Sequence, residues 1–191
     1  MYSHLEKYQL VLASNSPRRQ QLLKDMGVDF TVQSSKGEET YPANLAVGNV
    51  AEFLAIQKAD WFDDFSHNEL YITSDTTVVL DGEVLGKPTN VQEAKKMLLA
   101  LSNKQHEVIT GFCLKSQEKQ VSGACVTQVH FKKLETFELE YYVNNFKPFD
   151  KAGSYGIQEW IGMIGITKIE GSYFNVMGLP THEIFNELKH Y

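Results

Sequence analysis

Ser14-Asn15-Ser16-Pro17-Arg18-Arg19 lies between the apolar run Tyr8–Ala13 and a stretch with helical apolar spacing at Leu22, Leu23 and Met26. The placement predicts a strand–turn–helix junction, with a serine as cap and Pro17 in the first turn. A helix start presents unpaired backbone N–H groups and partial positive charge, and the serines add donors. Arg18 and Arg19 oppose the helix dipole there. A phosphate would remove that conflict, because guanidinium groups bind phosphate through paired hydrogen bonds.

Other residues could complete such a site. Asp75 stands at the end of a predicted strand, followed by Thr76, and can orient a metal or take a proton from water. Lys87, across a predicted hairpin, can neutralise phosphate charge. Glu38-Glu39 can hold magnesium through one carboxylate plus waters, although alone it reads as an exposed acidic turn. Lys58 falls on an apolar-phased helix, where a lysine snorkelling at the surface is the default. Asp150 to Gln158 is rich in turn residues and carries polar groups fit to recognise a base. Together these residues describe a metal-assisted site for nucleotide phosphates.

Four other chemistries are excluded. Gly82 to Pro88 is one residue short of a P-loop, with Pro88 where a hydroxyl should hold magnesium. No G-x-G-x-x-G or G-x-S-x-G occurs. His106-Glu107 and His182-Glu183 begin like H-E-x-x-H, but Thr110 and Asn186 occupy the second histidine position. Cys113 and Cys125 form no C-x-x-C; they read as reduced thiols, although a hairpin could make them neighbours.

The elements that must position these residues alternate in type. Predicted strands are Tyr8–Ala13, Val28–Val32, Leu70–Thr73 continued by Val78–Leu80, Glu83–Leu85, His106–Lys115, Gln120–Lys132 and a pair around Ile161–Ile169. Predicted helices run from Pro17 to Gly27, Leu45 to Trp61, Asn90 to Leu101, Thr136 to Asn144 and Pro180 to Leu188. Hairpins mixed with crossovers give an α/β (α+β) class with a mixed sheet. The 191 residues, 42% apolar and 22% charged, fit one soluble domain. A net charge of −6 argues against a nucleic-acid coat protein and requires a local cation cluster for any phosphate. The longest apolar run, Met97–Leu101, is far short of the ~20 residues that span a bilayer. Leu10–Ala13 is too short for a signal-peptide core, so a cytoplasmic protein without membrane or nucleic-acid partners is expected.

Leu12-Ala13-Ser14-x-Ser16-Pro17-Arg18-Arg19-x-x-Leu22-Leu23, Ser74-Asp75-Thr76-x-Val78, Gly86-Lys87-Pro88 and His106-x-Val108-x-Thr110-Gly111 resemble the Maf family. Asp150–Gln158 and Gly171-Ser172-x-x-Asn175-Val176-x-Gly178-Leu179-Pro180 extend the resemblance over nearly the whole chain. It implies a single domain over 1–191 of two lobes sharing a central cleft, elongated and similar to inosine triphosphate pyrophosphatases. It further implies a cytoplasmic homodimer that cleaves a nucleoside triphosphate between the α and β phosphates with a divalent cation such as Mg2+ or Mn2+.

Carried over by residue, the resemblance makes Asp75 the catalytic acid/base. Ser14, Arg19, Lys58 and Lys87 become phosphate ligands, and Glu39 lies with Asp75 at the metal. Arg18, Thr76 and Gln158 match the branch acting on dTTP and UTP; Glu159 departs from the commoner glycine after the glutamine. The alternatives are a house-cleaning pyrophosphatase for 7-methyl-GTP or for inosine or xanthosine triphosphate, and a non-enzymatic regulator of septum formation.

Overall fold

The computed structural model describes residues 5–34, 37–62 and 68–191. β1 (Gln9–Leu12) leads into α1 (Pro17–Asp25) through Ser16, the extended N-cap. Past α1, Gly27 adopts φ +72°, a left-handed conformation that glycine enters without a Cβ clash. β2 spans only Thr31–Val32, shorter than expected, and both residues are exposed at the outer edge of the sheet. α2 (Val50–Asp60) follows a 3-10 turn at Val47–Asn49.

β3 (Glu69–Leu80) is a single strand of 12 residues, continuous through the polar stretch at 74–77. It tolerates that polarity because Thr73, Ser74 and Thr77 each donate a hydroxyl to a main-chain carbonyl, of Ala55, Gly111 and Ile109 respectively. Asp81 and Gly82, at φ 52° and 83°, make the tight hairpin to β4 (Glu83–Leu85). α3 (Val91–Leu101) is capped by Asn90, which accepts from Glu93 N at 2.9 Å. The Glu93 carboxylate turns back to Thr89 rather than to Asn90.

β5 (Gln105–Lys115) and β6 (Gln120–Phe131) are sheet neighbours joined by the turn at 116–119. α4 (Thr136–Phe146) is next. The strand pair expected around Ile161–Ile169 is instead α5 (Trp160–Gly165) followed by β7 (Ile166–Glu170). Periodicity in a short apolar run does not distinguish strand from helix. Position 162 requires glycine, because the Ile157 carbonyl occupies the space a side chain would need. α6 (Tyr173–Met177), which the sequence reading does not include, and α7 (Thr181–Leu188) complete the chain.

The seven strands form one sheet in the order β2-β1-β3-β5-β6-β7, with β4 on β3. β1 is parallel to β2 and β3, while β3–β4 and β6–β7 are antiparallel, so the sheet is mixed. Two compact units divide the chain. The first comprises Met1–Asp75, Thr110–Cys125 and Gly178–Tyr191. Leu12, Leu23, Leu70, Ile72, Leu114 and Ile184 are fully buried in it, each worth ~1.5–3 kcal/mol of apolar transfer. The second comprises Thr76–Ile109 and Val126–Met177, with a core around Leu98, Leu101, Phe131, Tyr142, Tyr155 and Ile161. Both cysteines are free. Among the described residues no helix is long and apolar enough to cross a membrane.

Candidate active site

The turn from β1 into α1 is held by its own serines. Ser16 Oγ accepts from Arg19 N at 3.5 Å, and Ser14 Oγ accepts from Ser16 N at 3.2 Å. The first turn of α1 has no acidic residue; Arg18 and Arg19 stand there instead. Arg19 Nε donates to the Gly178 carbonyl at 2.7 Å, a carbonyl that Ser74 Oγ also approaches at 3.4 Å. Burial lowers the pKa of Arg19, and Arg18 adds to that effect while Asp75 and Glu39 oppose it. The two carboxylates are therefore electrostatic neighbours of this arginine.

α2 brings Lys58 to the same place. Gly111 of β5 makes this possible, because a Cβ there would overlap the backbone of Ala51 and Glu52. Small buried residues, Ala51, Ala55 and Ala59, continue the close approach along the helix. Thr73 of β3 donates to the Ala55 carbonyl at 2.6 Å. Side chains two apart on a strand share a face, so Asp75 also faces α2. Lys58 Nζ lies 2.6 Å from Asp75 Oδ1 and 2.9 Å from Glu39 Oε1. The lysine is 6% exposed, which corrects the surface position expected for it. Burial of an ammonium is tolerable only when it is paired, and here it has two partners.

Arg18, Arg19, Lys58, Asp75, Glu39 and Ser14 thus all belong to the first unit. Three cations stand against two carboxylates, the local positive excess that an acidic chain needs for a phosphate ligand. Thr76, Lys87 and Gln158 belong to the second unit. Thr76 follows Asp75 in sequence, yet strand alternation points the two side chains to opposite faces of β3. Lys87 is exposed beyond β4. Gly153 N donates to the Gly86 carbonyl at 3.1 Å, tying the residue before Lys87 to the 150–159 segment. Gly153 itself has φ +66° and packs on Val78, where a side chain would come within 2.9 Å. Gln158 is half-buried, and its Oε1 is a buried acceptor with no partner among the described residues.

Sequence reasoning missed the tie between Arg19 and Gly178, which spans 159 residues, and the enclosure of Lys58. No local signal marks either. Among the described residues no cluster of three or more His, Cys, Asp or Glu is arranged for a metal. Glu39 and Asp75 nevertheless supply hard oxygen donors that both reach Lys58 Nζ. That donor set fits Mg2+ or Mn2+, which bind through one or two carboxylates, waters and substrate phosphates.

A mixed sheet flanked by helices, with cations gathered at a helix start beside a buried carboxylate, defines an α/β protein suited to a phosphorylated ligand. The sequence matches the Maf-like protein family over residues 9–191, and the chain belongs to that family. It is 51% identical to the dTTP/UTP pyrophosphatase of Phocaeicola vulgatus, with 99% of each chain covered. It is 47% identical to the dTTP/UTP pyrophosphatase of Bacteroides thetaiotaomicron over the same shares. A HAM1 protein from Coxiella burnetii has a similar fold, with a TM-score of 0.52 and 18% identity over 96% of this chain and 100% of that one.

Proposed function

We propose that the chain hydrolyses dTTP and UTP to the monophosphate and pyrophosphate. The observation that carries the reading is the convergence of Arg19, Lys58, Glu39 and Asp75, in a chain 51% identical to a relative of that name. Ser14, Arg19, Lys58 and Lys87 bind the phosphates, and Arg19 is aimed by its bond to Gly178. Asp75, oriented by Lys58, takes the proton of the attacking water. The water oxygen bonds to phosphorus at the α–β bridge, the bridging P–O bond breaks, and pyrophosphate leaves with the electron pair. Glu39 and Asp75 would hold a divalent cation such as Mg2+ or Mn2+, which when bound supplies positive charge to the phosphate oxygens.

Gln158, Thr76 and Arg18 select the base. An unpartnered Gln158 Oε1 suits the imide N–H that uracil and thymine present and cytosine lacks. The resemblance extends the proposal to a cytoplasmic homodimer that needs neither nucleic acid nor membrane. A nucleotide panel with product analysis tests it: dTTP and UTP should be turned over best, each yielding pyrophosphate. Inorganic phosphate as the product, or GTP, 7-methyl-GTP or inosine triphosphate as the best substrate, would overturn it.

A further inference from the structure

Glu159 uses both carboxylate oxygens within the second unit. Oε1 lies 3.1 Å from Lys151 Nζ, a buried lysine that also meets Asp150 at 2.7 Å. Oε2 accepts a short hydrogen bond from the Tyr142 hydroxyl. That hydroxyl in turn accepts from Gly156 N at 3.0 Å. Glu159 N donates to the Gly156 carbonyl at 3.0 Å and closes a turn over residues 156–159. Gly156 packs against the same groups, since a side chain there would come within 2.9 Å of Glu159 Cδ and 3.1 Å of Lys151 Cε. Tyr142 is fully buried on α4 and stacks on Phe146 at 5.1 Å.

Both ends of the turn are therefore clamped to a buried phenol and a buried cation. Gln158 lies inside the turn, and its Oε1 is a buried acceptor without a partner among the described residues, as is Ser154 Oγ just before the turn. Buried polar atoms are nearly always partnered, so an orphan beside fully used neighbours marks where a ligand group completes the pattern. A frame of this kind lowers the ordering cost of binding by holding the side chain ready.

We propose that Glu159 is a positioning residue, acting through Tyr142, Gly156 and Lys151 to hold Gln158 in the conformation that selects the pyrimidine. The inference rests on the assignment of Gln158 to base selection.

Two readouts on the full chain test it, using Glu159→Ala, Glu159→Gln and Tyr142→Phe. In Glu159→Ala, hydrogen exchange at the Gly156 amide should rise ~10-fold or more, with the sheet amides unchanged. The ratio of kcat/KM for UTP over CTP should fall ~10-fold, chiefly through KM for UTP, because the loss is of pairing to the base. Glu159→Gln, which keeps an acceptor for Tyr142, should recover part of the ratio; Tyr142→Phe should not. Loss of stability alone would leave the ratio unmoved. If Glu159→Ala fails to fold, the other two variants carry the test. Unchanged exchange at Gly156 would overturn the frame. Faster exchange with an unchanged ratio would overturn the link to Gln158. A wild-type chain without preference for UTP over CTP would overturn the assignment of Gln158 itself, and the exchange readout would still decide the frame.

Discussion

Lys58 and Asp75 form a buried ion pair at 2.6 Å, with the lysine 17 residues upstream on a different element. Asp75→Asn should keep the fold, because Glu39 remains as a partner for the ammonium. Turnover should fall by ~10²–10⁴, the usual weight of a positioned general base. That corresponds to roughly 3–5.5 kcal/mol of barrier. Pyrophosphate release measured beside a melting curve checks both statements; retained turnover in the folded fraction would reduce Asp75 to a structural role.

Excess EDTA should abolish pyrophosphate release, and added Mg2+ or Mn2+ should restore it. The expectation follows from the oxygen-only donor pair Glu39 and Asp75. Full activity in the chelator would remove the cation from the proposal.

Gln158→Ala should lower the UTP-to-CTP ratio of kcat/KM more than it lowers activity on the better substrate. A site that hydrogen-bonds its ligand rejects a mismatched partner because buried polar groups are left unpaired. Equal losses on both nucleotides would show that the glutamine does not read the base.

His106 predicts an acid limit to stability. Its Nε2 meets the Tyr155 hydroxyl at 2.7 Å, its ring stacks on Phe131, and its Nδ1 is buried without a partner among the described residues. Burial pushes its pKa down to about 4, with His130 adding to the shift. The unfolded chain, near the ordinary 6.5, then binds more protons than the folded one. Stability should fall as pH drops from 6.5 towards 4, by about 3 kcal/mol in all. Urea unfolding across that window, compared with His106→Gln, isolates the contribution, since the variant should lose this part of the slope.

Gly111→Ala should destabilise the chain by ~1–3 kcal/mol, the cost of overpacking a tight contact. The added methyl meets the α2 backbone, which cannot move aside as a flexible side chain would. Because α2 carries Lys58, activity per folded molecule should fall as well. Denaturant midpoints and turnover on the same preparations distinguish the two effects.

Local chemistry was legible in the sequence. The Ser16 cap with Pro17, the Gly27 stop and the Asp81-Gly82 hairpin each rest on a few adjacent residues with defined backbone preferences. Contacts across the chain were not. Lys58 read as a surface lysine because helix phase describes a face and not what covers it. The segment around Ile161–Ile169 read as a strand pair because a run this short does not display a helical period.

The bond between Arg19 and the Gly178 carbonyl has a consequence for synthesis on the ribosome. The first unit draws on three stretches of chain, and the last of them begins at Gly178. Tyr191 at the far end donates to the Leu114 carbonyl at 2.8 Å, fastening that stretch into the unit. A nascent polypeptide therefore carries its arginines, lysine and aspartate long before the group that aims Arg19 has emerged. A product interrupted before Gly178 keeps the motif-bearing residues but lacks the carbonyl that holds Arg19.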